Sequence, residues 1–223
     1  MDRIENGNAS LLVEARIRRQ IIKGEIPAGT WVRESHLAEE LQVSRTPVRE
    51  ALSRVASAGL LRWSQRRGYM APEPDPEELA AAYPVIINLE ILALETTRLL
   101  PDSAQDEVAA YNRGLAGDDR DPFTEYEADF NWHVALVRVA GNPILAEIHE
   151  RLLIKISRYL YAYWRHREDR TQSSSEHDAI LEAMRQGDTQ LAVALLRTHR
   201  TNGLKRIESL LDFTNLHLPN QIP

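Results

Sequence analysis

Asp129 and His133 stand four residues apart in DFNWHVALVRVA, and Leu136, Val137 and Ala140 continue the same helical face. Residues i and i+4 project side by side from a helix, so a carboxylate and an imidazole at this spacing can meet on one atom. His177 shares a predicted face with Ile180, Leu181 and Met184. His199 follows Leu195 and Leu196 by four and three residues. Three of the chain's seven histidines thus lie on inward faces together with one carboxylate. A helical bundle can gather such groups at its core. Three imidazoles and a carboxylate suit a divalent ion, Zn²⁺ first, then Ni²⁺, Fe²⁺ or Mn²⁺, with positions left for water or an anionic ligand. The spacing equally allows hydrogen-bonded core histidines, with His177 in SSSEHDAI simply near a helix start. The chain has no cysteine, which excludes disulfides and thiolate ligands.

A second constellation is basic. The segment LQVSRTPVREAL opens a predicted helix at Ser44 whose inward stripe is Val48, Ala51, Leu52 and Val55. Arg45 and Arg49 are four apart and share the outer face. An arginine fork fits the O6/N7 edge of guanine, a contact worth roughly 1–3 kcal/mol of discrimination. Ser44, Thr46 and the free amides of the first turn suit phosphates. Arg66 and Arg67, beside Gly68, sit at a predicted hairpin tip and form a wing able to touch DNA backbone or minor groove. The alternative for the two arginines is a solvated face paired with Glu50 or other acids.

These groups need elements to hold them. Residues 1–72 carry twelve basic and eight acidic residues, and the rest of the 223-residue chain fifteen and twenty-five, for a net −6. A basic front on an acidic body places nucleic acid at one end. APEPDPEE, with three prolines in five residues, is a connector that also opens the next helix through Asp75 and Pro76.

Before the connector the pattern predicts three helices and a hairpin. The first has Leu11, Ala15 and Ile22 inward and stops at Gly24, and IPAGT is a turn. The second runs Glu34–Leu41 with Leu37, Ala38 and Leu41 inward. The third starts at Ser44 and ends at Gly59. LLRW and YMA are short strands joined by SQRRG. A short helix, a tight turn and a basic-tipped second helix is the helix-turn-helix pattern.

After the connector every start and stop signal is helical: Asp102 or Ser103, Asp121-Pro122, Gly141-Asn142-Pro143 and Gly187-Asp188. Leu145, Ile148, Leu152, Ile156, Tyr159 and Tyr163 make a long stripe. The expected fold is mainly α: an N-terminal winged helix-turn-helix over 1–72, a linker at 73–78, an antiparallel bundle of six or seven helices over 79–213, and a tail at 214–223. No uninterrupted apolar run approaches about 18 residues, and MDRIENGNAS has no signal-peptide core. A cytoplasmic protein without membrane contact is expected.

The string IRRQIIKGEIPAGTWVRESHLAEELQVSRTPVREALSRVASAGLLRWSQRRGY resembles the winged helix-turn-helix of GntR-family bacterial regulators. The resemblance implies that Arg45 and Arg49 read bases, that Ser44 and Thr46 hold phosphates, and that the wing at Gly68 enters the minor groove. Where the family often has an arginine after the residue matched by Glu34, this chain has Ser35, and Arg33 is the nearby substitute. Residues 79–213 resemble the FCD effector domain of the FadR-type subfamily through DFNWHVALVRVAGNP, EHDAILEAMRQGD and LLRTHR. Asp129, His133, His177 and His199 match the metal-binding positions of metal-containing members, with Trp132 where phenylalanine is usual. Many members carry an arginine four residues before the glutamate of the first effector helix. Counting back from Glu90 gives Ile86, so Arg158 and Asn202 become the candidate ligand contacts.

The resemblance implies a ligand-responsive homodimeric repressor. It would bind an inverted-repeat DNA operator and take a small organic acid or related metabolite at the metal. The alternatives are a metal-dependent enzyme fused to a DNA-binding head, a metal-independent fatty-acyl binder, and a metal sensor. Four protein ligands and no evident general base weigh against the enzyme, and the histidines weigh against the acyl binder.

Overall fold

The computed structural model describes residues 2–97, 102–113, 115, 121–166 and 172–214, with side chains from residue 9 to residue 210 within those ranges except 102–104. The chain divides into two compact units, one ending at Asp75 and the other beginning at Pro76. The tail expected from residue 214 onward lies outside the described residues apart from Thr214.

The first unit opens with α1 (Asp2–Lys23), and Gly24, at φ +77°, turns the chain away from it. Its buried stripe is Val13, Ile17, Ile21 and Ile22. Leu11 is 59% exposed, and Ala15 is exposed too. This corrects the inward face expected from Leu11, Ala15 and Ile22. Arg18 interrupts that row, whereas Val13, Ile17 and Ile21 follow one another at i, i+4 without a break.

Helices α2 (Glu34–Glu40) and α3 (Arg45–Ser57) follow, joined by a turn in which Gln42 adopts φ +53°. Leu37 and Ala38 are buried, while Leu41 caps α2 and is half-buried. The back of α3 buries Val48, Ala51, Leu52 and Val55 completely, mainly against α1. Arg54 ties the same two helices at Glu14 (2.6 Å) and at Ser10 Oγ.

Three short strands complete the unit: β1 (Trp31–Val32), β2 (Arg62–Ser64) and β3 (Gly68–Met70), all antiparallel in the order β1-β3-β2. The hairpin of β2 and β3 matches the expected wing. Strand β1 was not foreseen, because two residues cannot show alternation. Gly68 has φ +86°, which the tight end of the wing requires, and the Arg67 amide donates to the Ser64 carbonyl at 3.2 Å.

The second unit is helical throughout its described residues: α4 (Pro76–Thr96), α5 (Asp102–Arg113), α6 (Pro122–Arg138), α7 (Pro143–His166), α8 (Gln172–Arg185) and α9 (Thr189–Thr214). The start signals act through identifiable atoms. Asn142 Oδ1 accepts from the Ile144 and Leu145 amides at 3.1 Å, and Asp188 Oδ1 accepts from the Leu191 amide at 2.9 Å. Pro76, Pro122 and Pro143 each open a helix. The cap expected at Asp102 or Ser103 involves side chains outside those described.

Helix α4 packs against α6, α7 and α9. Its mean hydropathy reaches 1.4 over 18 residues, high enough for a membrane span by length and composition, although Asn88 and Glu90 interrupt the run and 44% of it is buried inside the bundle. On α7 the buried band runs through Leu145, His149, Leu153, Ile156 and Leu160. Ile148 is 45% exposed, and Leu152 and Tyr163 are half-buried. Leu145, Ile156 and Tyr159 of the expected stripe are buried, and the stripe fails between them because it skipped the polar His149, which the bundle buries.

Leu52 is completely enclosed between α3 and its neighbours. Leu52→Ala is expected to lower the unfolding free energy by about 2–5 kcal/mol. Urea titration checks this, the loss appearing as a lower midpoint at unchanged slope.

Candidate metal centre and nucleic-acid interface

Helix α6 supplies Asp129 and His133 one turn apart, α8 supplies His177, and α9 supplies His199. One ligand atom from each lies within 4.8 Å of the others, and all four residues are buried. His199 Nε2 is 3.3 Å from both His133 Nε2 and His177 Nε2. Asp129 Oδ1 is 3.6 Å from His177 Nε2 and 4.0 Å from His133 Nε2. Nitrogens about 2.0–2.1 Å from a tetrahedral ion sit about 3.3–3.4 Å apart, so the imidazole spacings fit such an ion.

The outer partners fix which ring nitrogen carries hydrogen. Asn112 Nδ2 donates to the Ser174 carbonyl at 2.9 Å and to Asp178 Oδ1 at 2.6 Å, which leaves Asn112 Oδ1 as an acceptor, 3.2 Å from His177 Nδ1. His199 Nδ1 lies 2.6 Å from Glu176 Oε2, and a carboxylate only accepts. Both rings therefore hold hydrogen on Nδ1 and turn Nε2 toward the cluster. His133 Nδ1 lies 3.3 Å from Glu90 Oε1, off the line of a hydrogen bond. At 3.3 Å two ring nitrogens either share a hydrogen or both turn lone pairs to a cation between them. Trp132 stacks on His177 at 3.7 Å between centroids and 4° between planes, locking that ring. These backing groups are the ones that orient metal-bound histidines.

Behind His133 lies a charged knot. Arg200 Nε donates to Glu90 Oε2 at 2.7 Å, Arg200 Nη2 contacts Glu90 Oε1, and His149 Nε2 is 2.8 Å from the same Oε1. Burial pushes the Glu90 carboxyl up, but Arg200 and His133 outweigh it and hold the group well below its usual range. Burial pushes the Tyr83 phenol, beside Arg200, up to about 12. For His133, burial and the Arg200 charge outweigh the attraction of Glu90 and push the ring down to about 4. His177 is driven well below its usual value, first by burial and then by its neighbouring histidines. Both rings are neutral at pH 7, as metal ligation requires.

Sequence reasoning named the four converging residues but missed much of their support. Glu176 had a local signal, since it immediately precedes His177. Glu90 had one too, as a charge inside the apolar run IINLEILALE. His149, Asn112 and Arg200 had none, because their partners lie 59, 65 and 110 residues away. Arg158 is buried on α7, and Asn202 is half-buried on α9, three residues after His199. Neither is among the converging donors. The guanidinium tied to the cluster, through Glu90, is Arg200, and Ile86 is fully buried.

In the first unit Ser44 takes the N-cap position of α3, with its side chain making no capping bond. Arg45 and Thr46 follow in the first turn, both exposed. Arg49, one turn on, is held by Glu34: Nε lies 3.3 and 3.2 Å from the two carboxylate oxygens, and Nη2 is 3.0 Å from Oε2. That hydrogen bond and the charge behind it raise the Arg49 pKa. The pairing considered for the arginines on this face thus exists, with Glu34 and not Glu50 as the acid. Arg33 is the N-cap residue of α2 and is exposed. Arg66 and Arg67 are exposed at the wing beside Gly68, and the Arg67 guanidinium lies 5.6 Å from the centre of the Trp31 ring.

The depressed histidines set a pH dependence. Below an ordinary value of 6.5 the unfolded chain binds a proton at His133 that the folded chain refuses until about 4. Their contribution is therefore intact above that ordinary value and is lost as pH falls through the window. His177 acts in the same direction. In chelator, the urea midpoint is expected to fall progressively from pH 7 to about pH 4.5, and to fall less in His133→Gln.

Comparison with known proteins agrees with both halves of this arrangement. The family described as "Bacterial regulatory proteins, gntR family" matches residues 10–70, and the FCD domain matches residues 82–202. A "Probable D-xylose utilization operon transcriptional repressor" of Paenarthrobacter nicotinovorans is 29% identical over 184 residues, 81% of this chain and 80% of that protein. The gluconate operon transcriptional repressor of Bacillus subtilis is 24% identical over 219 residues, 93% and 88% of the two chains. Among solved structures, Escherichia coli McbR/YncC superposes with a TM-score of 0.71 at 21% identity, covering 90% of this chain and 97% of that one, a likeness of fold. A basic-tipped helix in one unit, a helical bundle in the other and these two family matches have one meaning: the chain belongs to the GntR family of bacterial transcriptional regulators and carries an FCD domain.

Proposed function

We propose that this regulator is a repressor of the FadR subfamily. It acts in the cytoplasm as a homodimer on an inverted-repeat operator and responds to a small organic acid or related metal-chelating metabolite. The ligand binds at a divalent ion, Zn²⁺ before Ni²⁺, Fe²⁺ or Mn²⁺, held by Asp129, His133, His177 and His199. The convergence of these four buried donors, with Asn112 behind Nδ1 of His177 and Glu176 behind Nδ1 of His199, carries the reading. When bound, the ion supplies a Lewis-acidic centre for an oxygen of the effector. Asp129 balances one of its two charges, so a further anion is favoured there. Glu90 and Arg200 neutralise each other, and Ile86 adds no charge. Asn202, one turn beyond His199, and the buried Arg158 are the polar contacts proposed for the effector.

On the DNA side, Arg45 and Arg49 read bases, and Ser44, Thr46 and Arg33 hold phosphates. Arg66, Arg67 and Gly68 bring the wing to the backbone or minor groove. A two-fold dimer presents two equivalent reading helices, which is why an inverted repeat is the matching operator. The names of the D-xylose and gluconate relatives support repression as the sign. Ligand and operator are coupled only if the ligand binds one arrangement of the dimer more tightly than the other.

Native mass spectrometry of the purified protein is expected to show a dimer with one divalent ion per subunit, and His133→Ala to lose that ion. Retained stoichiometric metal in the variant removes the ligand assignment. Duplexes selected from a random library supply the operator. Full binding and full organic-acid response after chelation would reject the metal-anchored pocket. Loss of DNA binding on chelation alone, with no response to any acid, would make the ion itself the signal. Arg45→Ala is expected to cost about 1–3 kcal/mol on the selected duplex and to relax choice at one base pair per half-site.

A further inference from the structure

Arg45 and Arg49 lie on the same exposed face of α3, but their surroundings differ. Among the described residues Arg45 has no ion-pair partner. Arg49 has one that takes a whole side of its guanidinium: Nε and Nη2 both donate to Glu34, at 3.0–3.3 Å. Glu34 is the first residue of α2, where the positive end of the helix favours its charge. Helix α2 packs on α3, so the carboxylate is fixed relative to the reading helix.

A guanidinium has five donors in one plane. With the Nε–Nη2 side taken, the opposite side, formed by Nη1 and the second Nη2 hydrogen, remains a complete fork. The Arg49 side chain is 70% exposed, and among the described residues Glu34 is the acid paired with it. An unsupported arginine this exposed would sample many rotamers and attract any phosphate within reach. The paired one presents a single orientation, and Glu34 cancels much of its long-range pull.

We propose that Glu34 is a specificity-determining residue: it buttresses Arg49 so that the outer guanidinium fork meets a guanine edge in a fixed pose and is withheld from phosphates. The inference rests on the DNA-reading role of α3 proposed above. Glu34 works through Arg49 and is a positioning residue.

The test compares wild type, Glu34→Gln, Arg49→Ala and the double variant on two probes: the duplex selected by wild type from a random library, and a random-sequence duplex of equal length. Glu34→Gln is expected to lose discrimination at one base pair per half-site by roughly five- to a hundredfold, the range set by a bidentate arginine–guanine contact. It is also expected to bind the random duplex at least as tightly as wild type, with a salt slope steeper by about one released counterion. In the Arg49→Ala background, Glu34→Gln should leave base preference unchanged. The proposal is overturned if Glu34→Gln keeps the wild-type preference at every position, or if its effect persists in full without Arg49. Absence of any preference in wild type would instead remove the DNA-reading role itself, and this inference with it. Thermal unfolding of each variant separates lost discrimination from lost fold.

Discussion

The second unit is organised around one buried ion pair. Glu90 on α4 and Arg200 on α9 are both almost fully enclosed, and each is the other's main compensation for leaving water. Taking one partner away leaves a bare charge in the core, so α4 and α9 are held together by a penalty as much as by an attraction. His149 brings α7 onto the same carboxylate, and His133 brings α6 against it. Four helices thus meet at one side chain. The positions of the clustered rings follow from that meeting.

The same knot explains why buried imidazoles can sit near a buried guanidinium. The Arg200 charge disfavours protonated rings, and Glu90 partly offsets this by drawing on Arg200 and His133 together. The outcome is that His133 and His177 are neutral rings beside the cluster, a state that suits a cation and resists a proton. No single contact produces it. Burial and the arginine push His133 toward it, while Glu90 pulls the other way.

Much of this was legible before the structure. The three-helix head and its hairpin, the proline connector and the helical body follow from turn residues and apolar spacing. Asp129 and His133 are legible because both ends of the pairing lie on one helix turn. The failures have a common cause. The inward face of α1 was misassigned because two apolar rows compete there, and only packing on α3 chooses Val13, Ile17 and Ile21. The buried band of α7 was only partly legible because His149 reads as polar and yet belongs inside. Arg200 was passed over because its reason for burial lies on another helix, far away in the chain. Local spacing reports local partners; a charge whose compensation is remote carries no mark of it.

Glu176 and His177 are neighbours on α8, yet they serve different rings: one grips His199 from behind, the other faces the centre itself. Successive residues on a helix point about 100° apart. A roll of α8 about its axis would therefore swing the two in the same sense while their targets stay put, loosening one hold as the other is displaced. The donor cluster is in this respect a torsion gauge. It is geometrically complete at one angular setting of that helix, and whatever grips the centre also fixes how α8 is turned.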